Sequence, residues 1–246
     1  MNTLEEPPRR EGRSPKPAVG SPFGTPKMLS DGGVKTSLVE RVYLAIMEAL
    51  DLGELHPGER IIASEVAKKL KLSRAPVREA LHVLAGQGVV ELLPDRGAIL
   101  RPMTRKDLAD IYEVVAPVAA IGLKAAARRI NEGRNADEVR SAMQAIRDAA
   151  ASDIRPRFRF YLVLNDFHYR LNAIAQRPYV DFLLGAINIE YWNRLLAQAI
   201  DLDRHIPGYV HNYERLSDAL LAGDERSVEA VMHWHAQWCI KLLEEE

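Results

Sequence analysis

The sequence predicts a mainly α-helical protein with two domains, of which only the first contains β-structure. Apolar residues recur at helical spacing over most of the chain, and the only runs with a β-type pattern lie between residues 89 and 101. A chain of 246 residues is also long enough for two modest cores. Residues 1–35 are dense in Pro, Gly, Ser and charge, which predicts a disordered N-terminal arm.

Composition excludes several classes of protein. The chain is 47% hydrophobic and 27% charged, as in ordinary globular proteins, and its net charge of −1 means that nucleic-acid binding would require a local cluster of positive charge. Cys239 is the single cysteine, which excludes an intramolecular disulfide and a zinc site with several thiolates, and we expect it to be buried in a helix. No apolar run is long enough to span a bilayer, so we expect a cytoplasmic protein.

The first predicted helix starts near Thr36. Leu38, Val42 and Ile46 recur at helical spacing there, and the helix is expected to end before Pro57, because "HPGER" breaks the pattern.

Two more helices and a hairpin follow. Ser64 is the expected N-cap of the second helix and Ser73 that of the third, which has Pro76 in its first turn and runs to about Ala85. The runs "VVELL" and "AILR" are joined by "PDRG", which is typical of a β-hairpin. Together these elements predict a winged helix-turn-helix over residues 36–103.

The third helix has a basic face. Arg74, Arg78 and His82 are four residues apart and share one stripe, with Ala75 beside them and the apolar residues opposite. Residues 64–82 contain five bases and two acids, a net charge of +3. Arginine can bind guanine through two hydrogen bonds, so this face is expected to enter the major groove of double-stranded DNA.

Other residues of this domain suit contacts with DNA outside the recognition helix. Ser64 and Ser73, with the amides at the helix N-termini, suit phosphate oxygens. Arg96 and Gly97, at the tip of the hairpin, are expected to reach a flanking groove. A charged face that is simply solvated remains the alternative interpretation of the same pattern.

The rest of the chain predicts an all-α helical bundle over residues 104–243, which is expected to bind the effector and to dimerise. Thr104 and Asp107 form an expected capping pair for its first helix. The predicted helices lie roughly at 105–130, 137–151, 157–175, 179–203, 208–222 and 225–243, separated at Asn135, Pro156, Pro178, Pro207 and Gly223.

The first domain resembles a known family. The segment "GELHPGERIIASEVAKKLKLSRAPVREALHVLAGQGVVELLPDRGAIL", with "SRAPVREAL" as recognition helix, resembles the GntR-family winged helix. The resemblance implies DNA contacts by Ser64, Ser73, Arg74, Ala75 and Arg78, with Arg96 and Gly97 in the wing.

The second domain resembles the FCD effector domain of the FadR-like subgroup of that family. Three segments carry the resemblance: "DLADIYEVVAPVAAIGLKAAARR", "FHYRLNAIAQRPYV" and "ERLSDALLAGDERSVEAVMHWH". It implies an all-helical domain around a small-molecule site, which in the family is often built on a divalent metal held by one Asp and three His.

This chain departs from that metal site. His168 and His235 match two of the four ligands, but the other two positions hold Leu164 and Tyr213. Divalent metals generally need at least three protein ligands, so no metal or other cofactor is expected. A divalent metal remains possible, and His211, two residues from Tyr213, would then be the substitute ligand.

The same departures predict the kind of effector. Family members commonly place an Arg and a Glu where this chain has Val115 and Ala119, so the expected cavity wall is Val115, Ala119, Leu164 and Tyr213, with His168 and His235 beside it. Such a wall favours an apolar or amphipathic effector, for example a fatty acid, an acyl thioester or a ring compound. A filled core without an effector remains open, with both histidines as ordinary core residues.

These observations predict a DNA-binding transcription regulator, with repression the expected mode. It is expected to bind a near-palindromic operator as a homodimer, under the control of a small-molecule effector and away from membranes. Three alternatives remain: a metal-dependent sensor of a small carboxylic acid, an adaptor that does not bind DNA, and a metal-dependent enzyme. An enzyme is not predicted, because the sequence has no phosphate-binding glycine loop or nucleophile elbow.

Overall fold

The computed structural model describes residues 37–94, 97–153, 155–187 and 189–245. The predicted arm over residues 1–35 and the wing residue Arg96 lie outside these ranges. The N-terminal part contains, in chain order, α1 (Leu38–Asp51), β1 (Arg60–Ile62), α2 (Ala63–Leu70), α3 (Arg74–Gly86), β2 (Val90–Leu92) and β3 (Gly97–Leu100).

Helices α1 and α3 form the core of the N-terminal part. The Ser37 hydroxyl accepts from the backbone N–H of Glu40, whose carboxylate accepts from the Ser37 N–H, so a capping box starts α1. The apolar face of α3 is buried against α1, which leaves the opposite face of α3 in solvent. The buried residues of α3 are Val77, Ala80, Leu81 and Leu84.

A small antiparallel sheet completes this part. The strand order is β1-β3-β2, with Ile61 opposite Ala98 in one pair and Leu92 opposite Ala98 in the other. The predicted hairpin is confirmed, but β1 was not predicted, because three residues are too short to show a period. The prediction that Ser64 caps α2 is wrong: β1 runs directly into α2, so Ile62 occupies the cap position and Ser64 lies within the first turn.

Seven helices form the C-terminal part of the described chain, in agreement with the predicted all-helical domain. They are α4 (Arg105–Arg128), α5 (Asn135–Ala151), α6 (Phe158–Ala175), α7 (Pro178–Gly185), α8 (Ile189–Ala199), α9 (Leu202–Leu221) and α10 (Glu225–Glu245). The predicted capping pair is present, since Thr104 and Asp107 form a capping box at the start of α4. Helix α4 packs along α10 and against α6, which makes it the central helix.

Two predicted helices have different bounds. The segment predicted as one helix over 179–203 is divided into α7 and α8, and α7 ends at Gly185. Helix α9 begins at Leu202, six residues before the predicted start, and Pro207 lies inside it. Proline removes one backbone donor, but the Asp201 carboxylate accepts from the Arg204 N–H and helps to start the helix upstream.

The helices of the described residues include no candidate membrane span. None combines the length and the apolar character that crossing a bilayer requires.

Candidate functional site

The exposed face of α3 presents unpaired positive charge. Arg74, Ala75, Arg78 and His82 are all exposed. Within the described part of the chain, neither arginine makes a hydrogen bond or an ion pair, whereas the neighbouring Lys69 is paired with Glu54 at 2.9 Å. The two guanidinium groups are therefore available to an anion or a base edge without breaking an internal contact.

The start of α3 adds neutral donors to this face. Ser73 is exposed and is the N-cap, but its side chain makes no capping hydrogen bond, so its hydroxyl is available together with the first amides of the helix. Ser64 is also exposed, in the first turn of α2. A cleft of about 210 Å³ lies between α3 and the β2–β3 hairpin, lined by Arg78 and His82 among others.

Gly97 has a packing role in this structure. It is buried at the start of β3, and a Cβ atom there would lie 3.1 Å from the Ile61 carbonyl oxygen of the neighbouring strand. The close approach of β1 therefore accounts for a glycine at this position without any contact to DNA.

A second candidate site is a cavity of about 70 Å³ inside the C-terminal part, lined by residues of α4, α6, α8, α9 and α10 among others. Five of the six predicted effector residues line it: Val115, Leu164, His168, Tyr213 and His235. Ala119 is buried in α4 but is not among the lining residues.

The two histidines of the cavity are neutral and hydrogen-bonded. His168 Nε2 lies 3.0 Å from the Tyr213 hydroxyl, and His235 Nδ1 lies 3.0 Å from Asn212 Nδ2. Burial lowers the pKa of His168 to about 4. Burial, and then the proximity of His168, lowers the pKa of His235 to about 3. Both imidazoles therefore lack charge at neutral pH and cannot attract a carboxylate as cations.

The residues of this cavity do not fit the metal site implied by the family resemblance. No group of three or more His, Cys, Asp or Glu side chains in the described ranges is arranged to hold a metal ion. Leu164 offers no ligand atom, the Tyr213 hydroxyl is engaged with His168, and His211 is exposed and not among the lining residues.

Several cavity residues were not identified from the sequence. They are aromatic or amide side chains, including Tyr112, Tyr161, Trp192, Asn193 and Tyr209. Trp192 Nε1 and Asn193 Nδ2 are buried and have no hydrogen-bond partner among the described residues. Trp192 and Asn193 lie in the first half of α8. The sequence pattern assigned α7 and α8 to one long helix, and for that reason it did not predict which way these two side chains point.

Cys239 adjoins the cavity residues and is buried in α10, as predicted. Its sulfur lies 3.7 Å from both the Tyr209 hydroxyl and His235 Nε2. Burial raises the pKa of the thiol to about 12, so it remains protonated and contributes packing rather than reactivity.

Helix α8 joins the cavity to the N-terminal part. Arg194 donates to both carboxylate oxygens of Asp51 at the end of α1, at 2.7 and 3.0 Å, and to Glu190 Oε1 at 2.8 Å. The Tyr43 hydroxyl of α1 donates to Glu190 Oε2 at 2.6 Å. Arg194 and Glu190 are 6% and 7% exposed, so their contact is held away from water, whereas the Asp51 carboxylate lies at the surface.

A further contact from α8 reaches the connection between the two parts. The Tyr191 hydroxyl donates to the Arg101 carbonyl oxygen at 2.5 Å, just after β3. Ile189, Trp192 and Asn193 of the same helix line the cavity. A displacement of α8 would therefore change the wall of the cavity, the contacts to α1 and the contact to the connecting segment.

Comparison with family models divides the chain in the same way. The model described as bacterial regulatory proteins, gntR family, matches residues 38–100, and the FCD domain model matches residues 110–237.

Curated relatives include two repressors. A probable D-xylose utilization operon transcriptional repressor of Paenarthrobacter nicotinovorans is 26% identical over 201 residues, which cover 82% of this chain and 86% of that protein. The gluconate operon transcriptional repressor of Bacillus subtilis (strain 168) is 32% identical over 80 residues, 32% of each chain.

Solved structures with the same fold include McbR/YncC of E. coli and a GntR transcriptional regulator of Rhodococcus sp. RHA1. Each superposes with a TM-score of 0.63 at 21% sequence identity, over 85% of this chain and 98% of the other. At that identity the likeness concerns the arrangement of the helices and strands.

Proposed function

The chain belongs to the GntR family of bacterial regulatory proteins and carries an FCD domain, and on this premise we propose that its homodimer binds a near-palindromic operator in the cytoplasm. These domains and the named relatives are those of transcription regulators, not of enzymes. We propose further that a small apolar or amphipathic effector in the helical cavity lowers operator affinity and so relieves repression. Repression is the activity named for two of its relatives.

The exposed α3 face is the observation that carries the DNA-binding part. Arg74 and Arg78 project from a helix whose other face is fixed in the core, and they have no partner within the described ranges. Guanidinium groups held in this way can enter a major groove without losing an internal ion pair. Ser64, Ser73 and Ala75 complete the proposed contact surface, and Arg96 is proposed to reach a flanking groove from the wing.

Fluorescence anisotropy with DNA from upstream of the protein's own gene tests this part. The double variant Arg74→Ala, Arg78→Ala is expected to lose specific binding, while Arg134→Ala, which removes an arginine with a 92% exposed side chain just before α5, should keep it. The slope of log affinity against log salt should fall by about 0.9 for each phosphate contact removed. Unchanged binding by the double variant would remove the assignment.

The walls and donors of the cavity support the proposed effector class. Val115 and Leu164 supply apolar surface, and neutral His168 and His235 offer no positive charge to an acid. The unpartnered donors of Trp192 and Asn193 would be satisfied by a carbonyl, ether or hydroxyl oxygen of a ligand. An effector with a ring or short chain and one acceptor oxygen matches both features.

The volume of the cavity favours the smallest members of that class. At about 70 Å³ it is less than half of an apolar protein cavity of about 150 Å³ that accepts benzene. A single-ring compound therefore needs a modest outward shift of the walls, whereas a long acyl chain needs the helices to separate. Of the effectors expected from the sequence, the ring compound is the one we propose.

Helix α8 supplies a physical route from effector to operator. A ligand that displaces Trp192 or Asn193 would also move Glu190 and Arg194, which hold α1 through Asp51 and Tyr43. A ligand can act only by binding the DNA-competent and DNA-incompetent arrangements with different affinity. The DNA-competent and DNA-incompetent arrangements would then differ in whether the contacts between α8 and α1 are formed.

A thermal-shift screen of single-ring compounds, short acyl compounds and divalent metals tests the effector. Binding to the folded form raises its midpoint by mass action, so we expect shifts with ring compounds that carry an acceptor oxygen. Asn193→Leu should weaken those shifts, and Tyr179→Leu, which changes a residue outside the cavity, should not. Stoichiometric zinc retained through dialysis would instead favour the metal-dependent sensor, with His168, His235 and His211 as ligands.

A further inference from the structure

The basic stripe of α3 ends in a residue to which the proposed contact surface gives no role. His82 is exposed, and within the described part of the chain it makes no hydrogen bond or ion pair. At about 1.5 Å per residue it lies about 12 Å along the helix from Arg74 and about 6 Å from Arg78. A recognition helix contacts bases mainly through its N-terminal residues, so His82 lies at the opposite end of the stripe.

His82 lines the cleft between α3 and the β2–β3 hairpin, and this cleft has one basic and one apolar wall. Arg78 and His82 are the only described lining residues with ionisable side chains. The hairpin side is apolar and consists of Leu92, Leu93, Pro94 and Gly97. An apolar wall opposite positive charge concentrates the electric field in a cleft, so this cleft favours an anion.

The charges next to His82 on its own helix oppose each other. Arg78, four residues before it, disfavours a protonated imidazole, whereas Glu79, three residues before it, favours one. Both are exposed, and neither makes an ion pair with a described residue. No described residue of α1 or α2, the helices packed against α3, lines the cleft. A bound anion would therefore decide whether the imidazole carries a proton.

The sheet adds one further cation at the edge of the cleft. A Cβ atom added to Gly97 would lie 3.4 Å from Arg60 Nε, so the guanidinium group of this β1 residue lies beside the hairpin. Glu91 of β2 is exposed but does not line the cleft. The two charged residues of the turn, Asp95 and Arg96, lie outside the described ranges. The described charged or titratable groups that border the cleft are thus two arginines and one histidine.

Duplex DNA would present a phosphate backbone to this cleft. In the proposed complex α3 lies in the major groove and the hairpin reaches the flanking groove. One backbone separates two neighbouring grooves, so that backbone must pass between α3 and the hairpin. The major groove is about 12 Å wide, which is similar to the separation of His82 from Arg74 along the helix. His82 is therefore expected at the edge of the groove, where the phosphates lie.

We propose that His82, in its protonated form, binds a phosphate of the backbone that passes between α3 and the hairpin. Both ring nitrogens of an imidazolium donate, and a charged donor makes a stronger hydrogen bond to phosphate than a neutral one. A neutral ring keeps one donor and loses the attraction between opposite charges. The inference rests on the proposed DNA binding and adds to it a contact that depends on pH.

Proton binding and DNA binding are linked through this contact. Histidine is the side chain that changes its charge between about pH 5 and 8. A phosphate beside an imidazole raises the pKa of the ring, so the complex holds more protons than the free protein. Operator affinity must therefore rise as the pH falls through this range.

Anisotropy titrations of the full chain at about pH 8 and about pH 6, with DNA from upstream of its own gene, test the contact. An imidazole whose pKa rises by about one unit on contact makes affinity at least about fivefold higher at the lower pH. His82→Gln should lose this gain and should bind like the natural sequence at the higher pH. His82→Arg, which has a permanent charge, should bind tightly at both.

His56→Gln is the matched control. His56 is an exposed histidine of the same part of the chain, lies before β1 and does not line the cleft. This variant should keep the full pH dependence of the natural sequence. Circular dichroism should show equal helix content in all of these proteins, because both replaced histidines are exposed.

Salt dependence is a second readout, which a merely structural role of His82 would not change. At the lower pH the slope of log affinity against log salt should fall by about 0.9 for each bound copy of His82→Gln, because one phosphate contact per copy is removed. At the higher pH the slopes of the variant and the natural sequence should be equal.

The outcomes separate this contact from the proposed function. Specific binding with equal affinity at both pH values, or a pH dependence that His82→Gln retains, would overturn the His82 contact and leave DNA binding by Arg74 and Arg78 intact. A chain without specific DNA binding at either pH would overturn both proposals.

Discussion

Arginine has opposite environments in two regions of this protein. On α3, Arg74 and Arg78 are exposed and have no partner within the described residues. On α8, Arg194 is 6% exposed, binds the carboxylates of Asp51 and Glu190, and has its guanidinium carbon 4.1 Å from the centre of the Phe158 ring. Arginine is therefore available to an external partner on α3, whereas on α8 it links two parts of the protein through ion pairs.

The difference shows which region can change its partner. A free guanidinium gains contacts when DNA arrives, so its removal should affect binding and leave folding intact. A buried guanidinium already has its partners, so its removal leaves the buried carboxylate of Glu190 without its cation and should affect folding first. The predictions below follow this contrast from the largest expected effect to the smallest.

Replacing Arg194 by alanine should cost the most. Removing one member of a buried ion pair typically costs about 3–5 kcal/mol because the remaining charge stays desolvated, and Glu190 is 7% exposed here. Urea unfolding of Arg194→Ala should show this loss, while the exposed Arg134→Ala should unfold as the natural sequence does. A loss below about 1 kcal/mol would mean that the contact between α8 and α1 is a surface pair in solution.

Replacing Arg78 by alanine should change binding instead of folding. We expect operator affinity to fall by about 1–3 kcal/mol, with relaxed preference at one base pair if Arg78 contacts a base and a uniform loss if it contacts a phosphate. Anisotropy titrations against single-base variants of the operator distinguish the two cases. The urea midpoint should not move, and a clear decrease in it would contradict the contrast with Arg194.

Replacing Tyr213 by phenylalanine should have a smaller effect on stability. The change removes the hydroxyl that lies 3.0 Å from His168 Nε2 and should cost about 1 kcal/mol, as expected for one buried hydrogen bond. Tyr179→Phe removes a hydroxyl from a side chain that is 81% exposed and serves as the control, with no expected change. Equal urea midpoints for both variants would show that the His168 contact contributes nothing.

Acid should destabilise the fold through the cavity histidines, weakly at first. In the native state the pKa values of His168 and His235 are about 4 and about 3, whereas an unfolded histidine has a pKa of about 6.5. The unfolded chain therefore binds more protons below about pH 6.5, and stability falls as the pH drops from there toward about 4.

Urea midpoints measured against pH test this dependence. His168→Gln should flatten the slope between about pH 6.5 and 4.5, and His211→Gln, at an exposed position, should leave it unchanged. A slope that both variants share with the natural sequence would assign the acid sensitivity to other groups.

Local patterns predicted the N-terminal part well. The exposed stripe with Arg74 and Arg78 follows from side-chain positions on a single helix, and the hairpin follows from two runs of period two. Strand β1 was not predicted, because Ile61 is the only buried residue among its three. Ser64 was misplaced as a cap, since a strand that continues into a helix leaves no turn for the sequence to mark.

The cavity was predicted only in part. The family resemblance assigned six residues to the cavity, and five of them line it: Val115, Leu164, His168, Tyr213 and His235. The sixth, Ala119, is not among the lining residues. Trp192 and Asn193 were missed because α7 and α8 were assigned to one helix, and a wrong break changes the direction of every side chain after it.

Sequence by itself determined the helical class of the protein, its family and the charged face of α3, because each depends on residues a few positions apart along one helix. Tertiary structure alone decided that Arg194 of α8 is buried against Asp51 of α1, more than 140 positions away, and that Trp192 and Asn193 face a cavity. Those arrangements depend on how separate helices pack, and no spacing within a single helix encodes the partner that its buried face will meet.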